Sequence, residues 1–121
     1  MSTKQIIVMR HDLKMRRGKQ IAQGSHASMS FLTRRLESGD PVTKVQNEWM
    51  ADSFAKVCVR VNSEEELMDI HDKAVEAGLE VHLITDQGRT EFHGVPTKTC
   101  LAIGPDYSNK IDQITGQLQL L

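Results

Sequence analysis

Between Lys14 and Lys19 the chain places four cations in six positions, Gly18 among them, and then runs directly into a helix-like apolar pattern. Backbone N–H groups at a helix start attract anions, and clustered Lys14, Arg16, Arg17 and Lys19 deepen that field. Such residues in this order suit a phosphate-rich or otherwise anionic substrate, although the same stretch also reads as a solvated basic loop. A second polar segment, Asp86-Gln87-Gly88-Arg89-Thr90, supplies a carboxylate followed by a glycine, a further cation and a hydroxyl. If the fold brings the two segments together, Lys19, Asp86 and Thr90 surround one pocket. A carboxylate there can orient or deprotonate water, and the ammonium can stabilise charge on an attacked carbonyl oxygen, which is hydrolytic chemistry. Asp86-Gln87-Gly88 is equally the sequence of a plain turn, with Lys19 a surface charge.

Other constellations carry less. The five histidines, at 11, 26, 71, 82 and 93, show no paired metal-ligand spacing with one another or with Cys58 and Cys100, so neither a metal nor a cofactor is expected. Ser25 and His26 are neighbours on a helix and point about 100° apart. They form no local Ser–His pair, which leaves His26 able to face a pocket or to stay on the surface. Gly18 and Gly24 make no phosphate-loop or dinucleotide fingerprint.

The elements that must position these groups alternate. Residues 5–9 form a short apolar run, expected as a buried first strand. A helix is expected over 19–36, where Ile21, Ser25, Met29, Leu32 and Leu36 follow the spacing of the apolar stripe that such helices turn to a core. A shorter helix is expected over 43–51 and a strand over 55–61. Ser63-Glu64-Glu65-Glu66 reads as a capping box opening a helix that ends at Gly78. Strands over 80–85 and 98–103 flank a polar loop, with Gly104-Pro105 closing the last, and a final helix spans about 108–115. This order predicts one α/β domain over 1–121, a three-layer sandwich with helices on both faces of a four-stranded sheet. The sheet is expected to be mixed and mostly parallel, since the link between the third and fourth strands has no helix. Ligands of open α/β sheets gather beyond the carboxyl ends of strands, where three polar loops begin: after the first strand (10–19), after the third (86–90) and after the fourth (104–109).

Composition narrows the partners. The 121 residues carry a net charge of −1, but the first 35 hold eight Lys or Arg against one acid, and the remainder hold seven against fifteen. A basic face on an acidic body follows. Five aromatic side chains are too few for an evident base-stacking surface. No run is long and apolar enough for a membrane span, and the first residues lack a signal-peptide core, so a cytoplasmic protein is expected. Cys58 and Cys100 fall in expected strands, where buried thiols are common; a disulfide would require those strands to be neighbours.

Taken together, Asp12-Leu13-Lys14-Met15, Gly18-Lys19, Ala22-Gln23 and Ser25-His26-Ala27 resemble the opening motif of the archaeal and eukaryotic type of peptidyl-tRNA hydrolase, the second family of that name. Gly78-Leu79, Leu83-Ile84, Asp86, Gly88-Arg89-Thr90 and Ile103-Gly104-Pro105 follow in the family's order, as does the close from Ile111-Asp112 to Leu118. The resemblance implies a small α/β domain with a mixed four-stranded sheet, often a homodimer. It also implies metal-independent cleavage of the ester that joins a peptide to the terminal ribose of tRNA. Position by position, Lys19 falls on the family's active-site lysine, Asp86 on its acidic residue, and Thr90 and Thr99 on its two threonines, the latter near the end of the last strand. Gln23 and His26 match polar positions facing the same cleft, and Lys14, Arg16, Arg17 and Arg89 supply the footprint for the nucleic acid.

The chain departs from the family's pattern at Arg16-Arg17, where Gly-Lys is usual, and at Gln87 and Ala102, where alanine and glycine are usual. His93-Gly94-Val95-Pro96 replaces a Pro-Gly turn. None of these removes a candidate catalytic group. Two other readings stay open on sequence: a non-catalytic RNA- or protein-binding module on the same fold, and hydrolysis of another acylated nucleotide or small ester.

Overall fold

In the computed structural model, which describes residues 1–89 and 91–121, four strands and four α-helices alternate. Strand β1 (Thr3–Arg10) leads to α1 (Arg17–Ser38) and α2 (Lys44–Ala51). Then come β2 (Lys56–Val61), α3 (Glu64–Glu76), β3 (Val81–Asp86), β4 (Thr97–Tyr107) and α4 (Ser108–Thr115). The sheet order is β2-β1-β4-β3. β1 pairs parallel with β2, while β4 runs antiparallel to both β1 and β3.

The expected mixed four-stranded α/β sheet is therefore present, but "mostly parallel" describes the strand directions and not the pairings. β1, β2 and β3 point the same way, yet the reversed β4 separates β1 from β3, so one of three neighbouring pairs is parallel. The helix-free link after β3 returns the chain antiparallel, as such a link must. The reversal has a consequence for the site. The carboxyl ends of β1 and β3 share one end of the sheet with the start of β4, whereas the end of β4 lies at the other.

Alternation along β1 separates two cores. Ile6 and Val8 join Val59, Val61, Leu101 and Ile103 on the face covered by α3 and α4, against Leu67, Ile70, Ala74 and Ile111. Ile7 and Met9 join Cys100 and Ala102 on the face covered by α1, against Met15 and Ala27. Both faces being covered, β1 reads as one continuous apolar run. β4 continues past Gly104, where φ is +88° and a Cβ would come 2.8 Å from the Asp106 backbone nitrogen. The Gly-Pro pair thus marks a register shift opposite β1 and not the strand's end.

Three further local readings are revised. The buried face of α1 is Gln23, Gly24, Ala27 and Phe31, while Ile21, Met29 and Leu36 of the expected stripe are 64%, 58% and 74% exposed. Small residues let α1 sit close on the sheet, which periodicity of large apolar side chains does not register. Ser63 accepts from the Glu66 N–H, but the Glu66 carboxylate accepts from Asn62 N–H. The complete capping box lies instead at Thr43 and Gln46. Cys58 and Cys100 are free thiols on strands that β1 separates. Residues 119–121 run beside the outer edge of β2, with Arg60 N–H donating to Gln119 and Leu121 N–H to Cys58, which blunts that edge.

Glu80, just before β3, ties the α1–α2 layer to the sheet. Two Arg35 nitrogens donate to its two oxygens at 2.7 Å each, Gln46 donates at 3.0 Å, and the His82 ring lies at 2.6 Å. Burial alone would raise the Glu80 carboxyl, but the His82 and Arg35 hydrogen bonds outweigh it and hold the group down at about 2. Its folded value lies below its ordinary one, so the stabilisation is present above about pH 4.5 and is lost as pH falls toward 2. Glu80→Gln should destabilise the fold by about 2–3 kcal/mol at pH 7 and by much less at pH 3. Denaturant midpoints for both proteins at the two pH values check this.

Candidate active site

The groups that could do chemistry meet where α1 begins and β3 ends. Arg16 stands at the N-cap of α1 without a side-chain hydrogen bond to the helix, and the first turn holds no acidic residue. The positive end of a 22-residue helix is thus left for an anion. Lys19 and Gln23, one turn apart, both reach β3's last residue, Asp86. Lys19 Nζ donates to Asp86 Oδ1 at 2.6 Å and Gln23 Nε2 to the same oxygen at 3.3 Å. Gly88 N–H donates to Oδ2 at 2.8 Å, closing an Asx turn. The plain turn and the pocket carboxylate are the same structure. Gly88 has φ +79°, and a Cβ would come 2.7 Å from the Val95 backbone, so only glycine closes the loop this way.

The Asp86 carboxyl is held below the usual carboxylate range. The Lys19 hydrogen bond is the chief cause; burial opposes it, and the Gly88 N–H and the charges of Lys19 and His26 add to it. Asp86 is consequently an ionised, weakly basic acceptor at neutral pH. It is suited to orienting and polarising a water more than to removing its proton outright, and its oxygens retain lone pairs for that water.

A cavity of about 410 Å³ opens over this carboxylate, with Lys19, Gln23, His26, Ile84, Gln87 and Arg89 among its lining. Thr99 lies at the start of β4, not near its end, and is 0% exposed. Its hydroxyl donates to Gln23 Oε1 at 2.6 Å, and the Cys100 thiol donates to the Gln23 carbonyl at 3.4 Å. With Gln23 Oε1 taken by Thr99, the amide nitrogen is left aimed at Asp86. Thr99 therefore acts on the carboxylate through Gln23 and from beneath the cavity floor.

The sequence candidates thus divide. Lys19, Gln23, His26, Asp86 and Arg89 line one cavity, with Thr99 below. Arg16 is an exposed side chain paired at 3.3 Å with Glu91 of the following loop. Arg17 lines a different groove, beyond α1, and Lys14 is exposed in the preceding loop, with φ +53°. Thr90 lies outside the described residues. Sequence reasoning missed the Gly88 N–H and the Cys100 thiol; the Asp-x-Gly spacing signals the first, and nothing in sequence signals the second. Among the described residues no group of three or more His, Cys, Asp or Glu could hold a metal ion, and no helix is long and apolar enough to cross a membrane.

Comparison with known proteins gives this site a context. The family model described as Peptidyl-tRNA hydrolase PTH2 matches residues 3–121. A peptidyl-tRNA hydrolase of Methanopyrus kandleri is 44% identical, the match covering 98% of this chain and 97% of that protein. One from Methanocaldococcus jannaschii is 44% identical over 98% and 99%. A probable peptidyl-tRNA hydrolase 2 of Dictyostelium discoideum is 38% identical over 97% of this chain and 54% of its own length.

Thr99→Val should leave Gln23 Oε1 buried without a donor, a loss of about 1–3 kcal/mol in stability. Cleavage at the site should fall about 10- to 100-fold, with KM nearly unchanged because Thr99 touches no substrate. Thr99→Ser, which keeps the hydroxyl, should recover most of both. Thermal melts and the split between kcat and KM check the pair.

Proposed function

Because this chain belongs to the peptidyl-tRNA hydrolase PTH2 family, we propose that it hydrolyses the ester between a peptide, or an N-blocked amino acid, and the terminal ribose of tRNA. The 121 residues act as one domain in the cytoplasm, without a metal or cofactor, to recycle tRNA from stalled or aborted translation. The observation that carries this reading is the Lys19–Asp86 pair, 2.6 Å apart and with both side chains largely buried, beneath a cavity that opens beside the basic start of α1. A nucleic-acid binding surface gains nothing from a carboxylate near phosphate, whereas ester hydrolysis can use one to orient the attacking water.

Asp86 holds a water by hydrogen bond, and the water oxygen attacks the ester carbonyl carbon. Lys19, with Arg89 on the same cavity, offsets the charge that builds on the carbonyl oxygen. The bond from that carbon to the ribose oxygen then breaks, and the proton given up by water ends on the ribose hydroxyl. An ester needs less leaving-group assistance than an amide, so no covalent nucleophile is needed. Gln23, fixed by Thr99, keeps the carboxylate aligned, and Thr90 is counted among the catalytic residues on the family resemblance alone. Lys14, Arg16, Arg17 and His26 contact the tRNA, chiefly its backbone, which lets many tRNAs be accepted. A homodimer belongs to the same reading.

Incubation with an N-blocked aminoacyl-tRNA, with chelator present, should release the blocked amino acid. Asp86→Asn should reduce kcat/KM by about 10²- to 10³-fold while keeping the fold. Unchanged turnover in the variant would remove Asp86 from the chemistry; no release by the unaltered protein, with salt-sensitive tRNA binding retained, would make it a binding module. If the four cations Lys14, Arg16, Arg17 and Arg89 each meet a phosphate, tRNA affinity should fall about 50- to 150-fold between 50 and 200 mM salt. Hydrolysis of a small uncharged ester should hardly respond to the same change.

A further inference from the structure

The two edges of the sheet are finished differently. At β2 the chain covers its own edge: Leu120 bridges to Val59, and the backbone N–H groups of Arg60 and Leu121 are both used there. β3, at the other end of the order, has β4 on one side and, among the described residues, no strand on the other. The Glu80 carbonyl accepts from Gly104 N–H at 2.9 Å, in register with Val81 opposite Ile103 and Leu83 opposite Leu101. Alternation then turns the backbone groups of His82 and Ile84 toward β4 and those of Val81 and Leu83 outward. The register shift after Ile84 puts the additional residue, Thr99, on β4, so β3 keeps its alternation and Thr85 also faces outward. Among the described residues no turn, loop or side chain bonds the N–H or C=O of Leu83 or Thr85. The residues from Val81 to Ile84 are half-buried and Thr85 is exposed. The strand contains neither the lysine nor the proline that commonly guards an edge.

We propose that this edge receives the peptide of the substrate as an added strand, parallel to β3; the proposal rests on the peptidyl-tRNA reading of the site. The edge is continuous with that site, because Ile84 and Thr85 line the cavity over Asp86. Direction follows from the chemistry. A peptide parallel to β3 brings its carboxyl end, and so the ester, to Asp86. An antiparallel one would leave the ester beside Val81, about 17 Å away. Neighbouring strands lie about 5 Å apart, which leaves room for a water between the Asp86 carboxylate and the ester carbon. In the parallel arrangement Leu83 and Thr85 each donate an N–H to a peptide carbonyl and accept one peptide N–H, so alternate peptide residues are bonded.

The occupant's own chemistry suits such an edge. Peptides abandoned at any stage of synthesis share a backbone, a chirality and a carboxyl-terminal ester, but no side chain. Main-chain pairing supplies affinity without reading side chains, and those of an added strand point above and below the sheet, away from the bonded edge. Beyond Asp86 the same line leads to Arg89 and the start of α1, where the tRNA would continue.

Amide hydrogen exchange of the unaltered chain, followed by NMR, tests the pairing without reading cleavage. The probe is N-acetyl-tetraalanine joined to 3′-amino-3′-deoxyadenosine, with an amide where the substrate has its ester. At saturation the Leu83 and Thr85 N–H groups should exchange about 10-fold more slowly, while His82 and Ile84, already bonded to β4, should not change. The same compound with a single alanine cannot reach Leu83 and should leave it unprotected. In cleavage assays, N-acetyl-tetraalanyl-tRNA should show a KM about 10-fold below that of N-acetyl-alanyl-tRNA. Methylating one peptide nitrogen should abolish that gain, and methylating its neighbour should not. Slowing at none of the four amides, or equally at all four, would overturn the proposal. So would equal effects of methylation at neighbouring nitrogens, or Leu83 and Thr85 already protected before the probe is added, which would mean that another copy covers the edge. Protection without cleavage of any peptidyl-tRNA would uphold the pairing and sink the hydrolase reading; cleavage without protection would do the reverse.

Discussion

The Asp86 carboxylate fastens three separate parts of the chain to one another. Lys19 and Gln23 reach it from α1, Gly88 from the loop that follows β3, and Thr99 from β4 by way of Gln23. An ionised group this little exposed is tolerable only when its oxygens are met by donors. Each donor in turn constrains its own element. Lys19 sets how the first turn of α1 approaches the sheet. Gly88 N–H fixes the course of the loop, and Thr99 fixes which way the Gln23 amide points. The site is thereby also a structural knot, and the same hydrogen bonds that keep Asp86 ionised keep it in place for a water.

The reversed strand makes the knot possible. If β4 ran parallel to its neighbours, its first residues would lie at the opposite end of the sheet from Asp86. Running antiparallel between β1 and β3, it delivers Thr99 to the end where α1 starts and β3 stops. A second tie, Glu80 with Arg35, Gln46 and His82, holds the other end of β3 to α1 and α2. Strand β3 is thus secured to the α1 layer at both ends, by an acidic residue each time. The paired Arg35 guanidinium is best met by a carboxylate with two free oxygens, whereas the single ammonium of Lys19 leaves room at Asp86 for further partners.

Much of this was legible in the sequence, because the relevant signals are local. Strand–helix alternation, Gly78 after an amphipathic helix and the Asp-x-Gly turn each rest on a few neighbouring residues. The pairing order of the strands does not, and no local signal tells that the reversed β4 lies between β1 and β3. Thr99 shows a different limit. Its residue type and the resemblance mark it as part of the site, but its position beneath Gln23 depends on β4's direction, which no single segment encodes. Lys14, Arg16 and Arg17 read as one cationic cluster. The helix start then spreads them, Arg16 toward Glu91 and Arg17 toward the groove on the far flank.

The face of α1 is the most instructive misreading. Periodicity ranks faces by the bulk of their apolar side chains, and on that measure the stripe from Ile21 to Leu36 wins. The helix turns instead on Gln23, Gly24, Ala27 and Phe31, because closeness of approach matters more than bulk here. Gln23 must come within hydrogen-bond distance of both Asp86 and Thr99, and Gly24 and Ala27 let the backbone sit low enough for that. Turning the large stripe inward would lift α1 from the sheet and carry Lys19 and Gln23 away from Asp86. The polar contacts of the site thus decide the orientation of the longest helix, and the apolar stripe is displaced to the surface as their consequence.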